Sequence, residues 1–137
     1  MRVFVTGATG FVGSAVVSEL LQAGYRVLGL ARSEKGGAAL AAKGADVLRG
    51  VLEDPLVLRT GAESCDAVIH TAFNHDFSNF AASCETDRMA IELMGDVLAG
   101  SARPMLVTSG LAVTPSGLVS MERDPAVEPT PHYPRAS

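Results

Sequence analysis

The stretch Val3-Phe-Val-Thr-Gly-Ala-Thr-Gly-Phe-Val-Gly13, followed by Ser14-Ala-Val-Val-Ser-Glu-Leu-Leu21, decides the reading of this chain. A short apolar run, Val3 to Val5, stops at a glycine-rich turn, and the pattern then changes to helical spacing. Val12, Val16 and Leu20 form one stripe, the kind of face a helix buries, and Gly24 ends it. Strand, tight turn and helix in that order make the first half of a βαβ unit. The start of such a helix leaves N–H groups without partners, and the helix dipole adds partial positive charge there. A phosphate or pyrophosphate fits that site. Gly7 can take a backbone shape that side chains resist, Gly10 lets the backbone approach a ligand, and Gly13 lets the helix pack on the strand. The spacing is G-x-x-G-x-x-G rather than G-x-G-x-x-G. The strand before it, the helix after it and the leading Thr6 therefore carry as much of the reading as the glycines.

Outward from that stretch, Tyr25 to Ala31 reads as a buried second strand ending in Arg32, Ser33 and, beside them, Lys35. In a dinucleotide fold an acidic residue here binds the ribose 2′-hydroxyl, whereas a basic one accommodates a 2′-phosphate. Arg32 favours NADP over NAD. Gly36 to Lys43 is an alanine-rich helix closed by Gly44, and Ala45 to Arg49 is a third strand. The turn Gly50 to Asp54 leads into a helix with Pro55 at its first position. Cys65 to Ala72 is a fourth strand, whose end lies where open α/β sheets bind ligands.

The polar loop Phe73 to Phe80 carries His75 and Asp76. Together with His70 they match no common zinc spacing, so no metal is expected. Helical spacing returns from Ser83 to Leu98, with Met89, Leu93 and Val97 in one row and Ala90 and Met94 beside it. The methionines read as core filler, and Glu85 and Asp87 suit the positive end of the dipole. Pro104 to Ser109 is a fifth strand, ended by Gly110. Beyond it fall five of the seven prolines, with no strand or helix period.

The alternation calls for an α/β, Rossmann-like doubly wound parallel sheet of about five strands in the order 3-2-1-4-5, with an irregular C-terminal tail. Residues 1–113 form the dinucleotide-binding domain, and 114–137 a Pro-rich tail that begins a truncated substrate half.

Composition narrows the function. A chain of 137 residues with 47% apolar and 19% charged content is a globular domain and not a disordered one. A net charge of −4 with scattered basic residues argues against a nucleic-acid partner. Cys65 and Cys84 lie too far apart for a CxxC motif and read as reduced thiols. No apolar run reaches membrane-spanning length and the N-terminus enters a strand directly, so a cytoplasmic protein with no membrane partner is expected.

Thr6-Gly-Ala-Thr-Gly-Phe-Val-Gly13, Ala31-Arg-Ser33, Gly50-Val-Leu-Glu-Asp-Pro55, Ile69-His-Thr-Ala72 and Val107-Thr-Ser109 together resemble the short-chain dehydrogenase/reductase superfamily. The resemblance is to its extended and atypical branches, the NAD-dependent epimerase/dehydratase and 3β-hydroxysteroid-dehydrogenase-like proteins, and runs from Met1 to about Val113. It implies that Gly7, Thr9, Gly10, Phe11, Val12 and Gly13 hold the pyrophosphate, with Arg32 and Ser33 on the 2′-phosphate. Leu52 would border the adenine, and Thr71, Ala72 and Phe73 would line the path to the nicotinamide.

Departures from the family pattern matter as much. Where members often carry Asp to bind adenine, this chain has Val51. The family's Tyr-x-x-x-Lys pair is absent: the only lysines are Lys35 and Lys43, and four residues beyond Tyr133 stands Ser137. Gly110 matches the usual catalytic Ser or Thr, which leaves Ser109 as the candidate hydroxyl, one residue early. The expectation is the NADP-binding part of an oxidoreductase, inactive alone and meeting a small-molecule substrate only through a C-terminal half. It could also form an oligomer. A non-catalytic dinucleotide-sensing module and a decayed remnant are the alternatives.

Overall fold

The computed structural model describes residues 1–110 and 121. Five strands, β1 (Arg2–Thr6), β2 (Arg26–Ala31), β3 (Asp46–Arg49), β4 (Ala67–His70) and β5 (Met105–Val107), alternate with four helices. These are α1 (Phe11–Gln22), α2 (Glu34–Ala42), α3 (Pro55–Glu63) and α4 (Phe80–Leu98). All pairings are parallel and the order is β3-β2-β1-β4-β5, as the alternation predicts.

Strand periodicity divides the core between the two faces of the sheet. Phe4, Leu28, Leu30 and Val68 pack with Leu58 of α3 and Ala90, Met94 and Leu98 of α4. Val3, Val5, Val27 and Ala67 pack on the other face with Val17 of α1 and Leu40 of α2. Phe4 is fully buried, and burial of such a side chain contributes about 1.5–3 kcal/mol. Helix α3 reaches its ring because residue 61 is glycine: a Cβ there would overlap the Phe4 ring.

Two helices are rotated from the expected setting. In α1 the fully buried positions are Gly13 and Val17, while Val12, assigned to the core stripe, is 51% exposed. The close approach of Gly13 to the preceding turn sets the helix rotation and overrides the bulkier apolar row. In α4 the buried row is Ser83, Cys84, Asp87, Ala90, Met94 and Leu98, and Met89, expected as core filler, is 59% exposed. Asp87 does not complement a helix dipole. It is buried against β4, and that contact turns the helix.

Several boundaries also move. Strand β4 is shorter than Cys65 to Ala72 because its pairing with β1 runs only from Ala67 to His70. Strand β5 covers three of the six residues expected, and α4 starts three residues early, at Phe80. Apart from Met121, the tail 114–137 lies outside the described residues, and so does Tyr133.

Candidate functional site

The turn between β1 and α1 lies at the carboxyl edge of the sheet. Gly7 has φ +66°, a left-handed conformation that favours glycine. Space reinforces the choice, since a Cβ on Gly7 would lie 2.6 Å from the Ala72 amide nitrogen and 2.7 Å from Thr71 Oγ1. A Cβ on Gly13 would collide with the Gly7 carbonyl. The Gly10 amide donates to the Gly7 carbonyl at 2.8 Å, and Ser14 N–H makes the first intrahelical bond to Gly10 O at 2.9 Å.

Gly10 is the N-cap and carries no side chain to accept from the helix. The amides of Phe11, Val12 and Gly13 therefore have no side-chain cap, at the positive end of a 12-residue helix. Phe11 itself is 96% exposed. This arrangement of donors and clearance suits a diphosphate.

Beside this turn lies the start of α2. Thr9 is exposed, and a Cβ on Gly36 would come within 3.0 Å of Thr9 Cγ2, so the two segments adjoin. Ser33 caps α2, its hydroxyl oxygen accepting from Gly36 N–H at 3.1 Å. That use was not foreseen from the sequence, and it engages the hydroxyl oxygen as an acceptor, not its O–H as a donor. Arg32, also exposed, precedes it. Leu52, after β3, is partly buried against the α3–α4 core and joins Pro55, Thr86, Met89 and Leu93 in lining an apolar groove between those helices.

On the other side, β4 is followed by Thr71, Ala72 and Phe73. Thr71 Oγ–H donates to the Thr6 carbonyl at 2.7 Å, and Ala72 N–H to Thr6 Oγ1 at 3.4 Å. The Phe73 ring meets His75 and Phe80 edge-on, with centroids 5.3 and 6.1 Å away. Asp76 accepts from the Ser78 amide and hydroxyl, and these bonds hold its carboxyl below the usual range. His70 is far more enclosed than His75, at 1% exposure, and sits between Thr6 Oγ1 at 2.7 Å and Asp87 Oδ1 at 3.0 Å. Ser109 is exposed just past β5, whose end is tied to β4 by Thr108 N–H donating to His70 O.

The expected phosphate, ribose and nicotinamide residues thus line one edge of the sheet. The sequence reading missed Thr6, His70 and Asp87 as a connected group. A signal was available: Asp87 falls in a helical row with Ala90, Met94 and Leu98, and a carboxylate in an apolar row requires a buried partner.

At the opposite edge the helix ends are closed. The Arg103 guanidinium donates to Ala62 O, Cys65 O and Val97 O at 2.9–3.1 Å, capping α3 and α4 together. Burial pushes the Cys65 thiol above its ordinary pKa, against a smaller lowering by its hydrogen bond to Ser64. No helix among the described residues is long and apolar enough to cross a membrane.

Residues 3–103 match the NAD dependent epimerase/dehydratase family. An uncharacterized protein of Schizosaccharomyces pombe is 51% identical over 116 residues, 85% of this chain and 39% of that protein. A sterol-4-alpha-carboxylate 3-dehydrogenase (decarboxylating) of Dictyostelium discoideum is 40% identical over 71 residues, 52% of this chain and 22% of that one. Among solved structures, UDP-glucose 4-epimerase from Bifidobacterium longum, in complex with NAD+ and UDP, superposes with a TM-score of 0.76 at 22% identity. That match covers 98% of this chain and 44% of the epimerase, and at this identity the likeness is one of fold. The chain spans about two fifths of the length of the first curated relatives it matches.

Proposed function

Because the chain belongs to the NAD-dependent epimerase/dehydratase family, whose members bind NAD(P), we propose that it is the NADP-preferring part of an oxidoreductase acting on a carbonyl or hydroxyl substrate. The observation that carries this reading is the start of α1: open amides, no side-chain cap, and two glycines where any Cβ would strike neighbouring atoms. The amides of Phe11, Val12 and Gly13 hold the diphosphate, with Gly7, Thr9 and Gly10 shaping the turn. Arg32 and the Ser33 O–H take the 2′-phosphate, a charge-assisted contact that NAD lacks. Leu52 borders the adenine at the mouth of the α3–α4 groove. Thr71, Ala72 and Phe73 line the nicotinamide side, and Ser109 stands where it reaches substrate or nicotinamide. When bound, the cofactor supplies the hydride; these residues hold and orient it.

No Tyr-x-x-x-Lys pair occurs in the 137 residues, so proton transfer in that manner needs residues from a longer protein. The same observation favours a second reading, a module that binds dinucleotide without turnover. Titration of the chain with NADPH and NADH, followed by fluorescence, tests the proposal. NADPH should bind more tightly, and Arg32→Asp should weaken it by about tenfold and narrow or reverse the preference. Equal affinities before and after that change would remove Arg32 from the site. NADPH binding without reduction of any carbonyl, by a protein that includes the downstream region, would select the second reading.

A further inference from the structure

We infer that Asp87 and His70 are positioning residues for the nicotinamide half of the dinucleotide, acting through Thr6 on the two loops between which it lies. The inference rests on the dinucleotide reading above. Thr6, His70 and Asp87 are 0%, 1% and 2% exposed, too enclosed to touch a ligand themselves. For the same reason the hydroxyl–imidazole–carboxylate chain cannot serve as a nucleophilic triad, since no substrate atom reaches Thr6 Oγ1.

The directions of the hydrogen bonds follow from the donors present. With the ring hydrogen on Nε2, His70 donates to Asp87 Oδ1 at 3.0 Å, and Nδ1 accepts the Thr6 hydroxyl hydrogen at 2.7 Å. Thr6 Oγ1 then accepts from Ala72 N–H, so every donor in the chain has an acceptor. The Thr6 carbonyl accepts from Thr71 Oγ–H and Thr71 N–H as well. Thr6 is thus fastened to the β4 loop by both its side chain and its backbone, and the next residue is Gly7.

The two loops have no slack. Ala72 N and Thr71 Oγ1 stand 2.6 and 2.7 Å from where a Gly7 Cβ would be, and Thr71 Oγ1 is 2.7 Å from a Gly13 Cβ position. Turning the Thr6 hydroxyl would therefore alter the gap between the phosphate turn and the nicotinamide side. Packing alone would be served as well by an apolar residue at position 87, like its neighbours in the buried row. A carboxylate there orients the imidazole, which orients the hydroxyl.

The test uses the whole chain and two probes: NADPH, and adenosine 2′,5′-bisphosphate, which lacks the nicotinamide half. Thr6→Val should weaken NADPH by about tenfold, leave the bisphosphate unchanged, and be rescued by Thr6→Ser. A second arm needs no change in the relay. In a His75→Gln, His132→Gln background labelled with 15N-histidine, the His70 ring signals should report hydrogen on Nε2. They should shift with saturating NADPH but not with the bisphosphate.

If Thr6→Val does not fold, the labelling arm decides alone. The inference is overturned if NADPH leaves the ring signals unmoved, if Thr6→Val binds NADPH as the unaltered chain does, or if it loses both probes equally. Binding of neither probe by the unaltered chain would instead sink the dinucleotide reading itself.

Discussion

Helices α1 and α3 both begin at the carboxyl edge of the sheet, and their first turns are treated in opposite ways. In α3 the Asp54 carboxylate accepts from Leu56 and Val57 N–H, and Pro55 at the first position has no N–H to satisfy. That helix start is closed by its own sequence and carries a negative charge. In α1 the corresponding cap is Gly10, with no acceptor and no charge, and the amides behind it face outward. Two helix starts at one edge therefore differ by what the chain withholds: α3 is stabilised by its cap, and α1 forgoes a few tenths of a kcal/mol of such stabilisation and leaves room for an anion.

The comparison can be broken in order of expected effect. Gly13→Ala drives a methyl into the Gly7 carbonyl, so the turn must open. Dinucleotide binding should vanish in a fluorescence titration, and stability should fall by about 3 kcal/mol in urea denaturation. Retained binding would show that the close approach of α1 to the turn is dispensable.

Gly10→Asp copies the α3 device onto α1. The backbone at residue 10 is extended, φ −77°, and suits the change, although the new Cβ lies 3.2 Å from Gly7 O. Stability should rise by a few tenths of a kcal/mol while NADPH affinity falls more than about tenfold, because the carboxylate takes the amides and repels phosphate. A variant that loses stability and keeps its affinity would contradict the contrast directly. In the reverse direction, Asp54→Ala should lower stability by about 1 kcal/mol and leave NADPH affinity unchanged. A matching loss of affinity would mean that the start of α3 belongs to the site.

Local patterns proved to be legible from sequence, and rotations were not. The change from strand to helix spacing around Gly7, Gly10 and Gly13 was enough to place the turn between β1 and α1, and the alternation that follows was enough to order the sheet. Val12, Val16 and Leu20 misled because apolar spacing says that a helix has a preferred face but not which contact sets it. Here a glycine with no side chain sets the rotation of α1, and a carboxylate sets that of α4. Ser33 was placed at the ribose by type and position, while its capping bond to Gly36 depends on where α2 begins, two residues before the expected start. The relay from Asp87 to Thr6 joins residues 81 positions apart through β4 (87 − 6 = 81), a proximity that exists only once β1 and β4 pair.

Arg103 has a mechanical consequence. One guanidinium grips the last carbonyls of α3 and α4 at the edge remote from the phosphate turn, so their distal ends cannot separate independently. Any widening of the groove beside Leu52 must then be a splaying about that rivet, greatest at the mouth and smallest at the base. Loosening the rivet would convert a tapered jaw into two separately drifting rods.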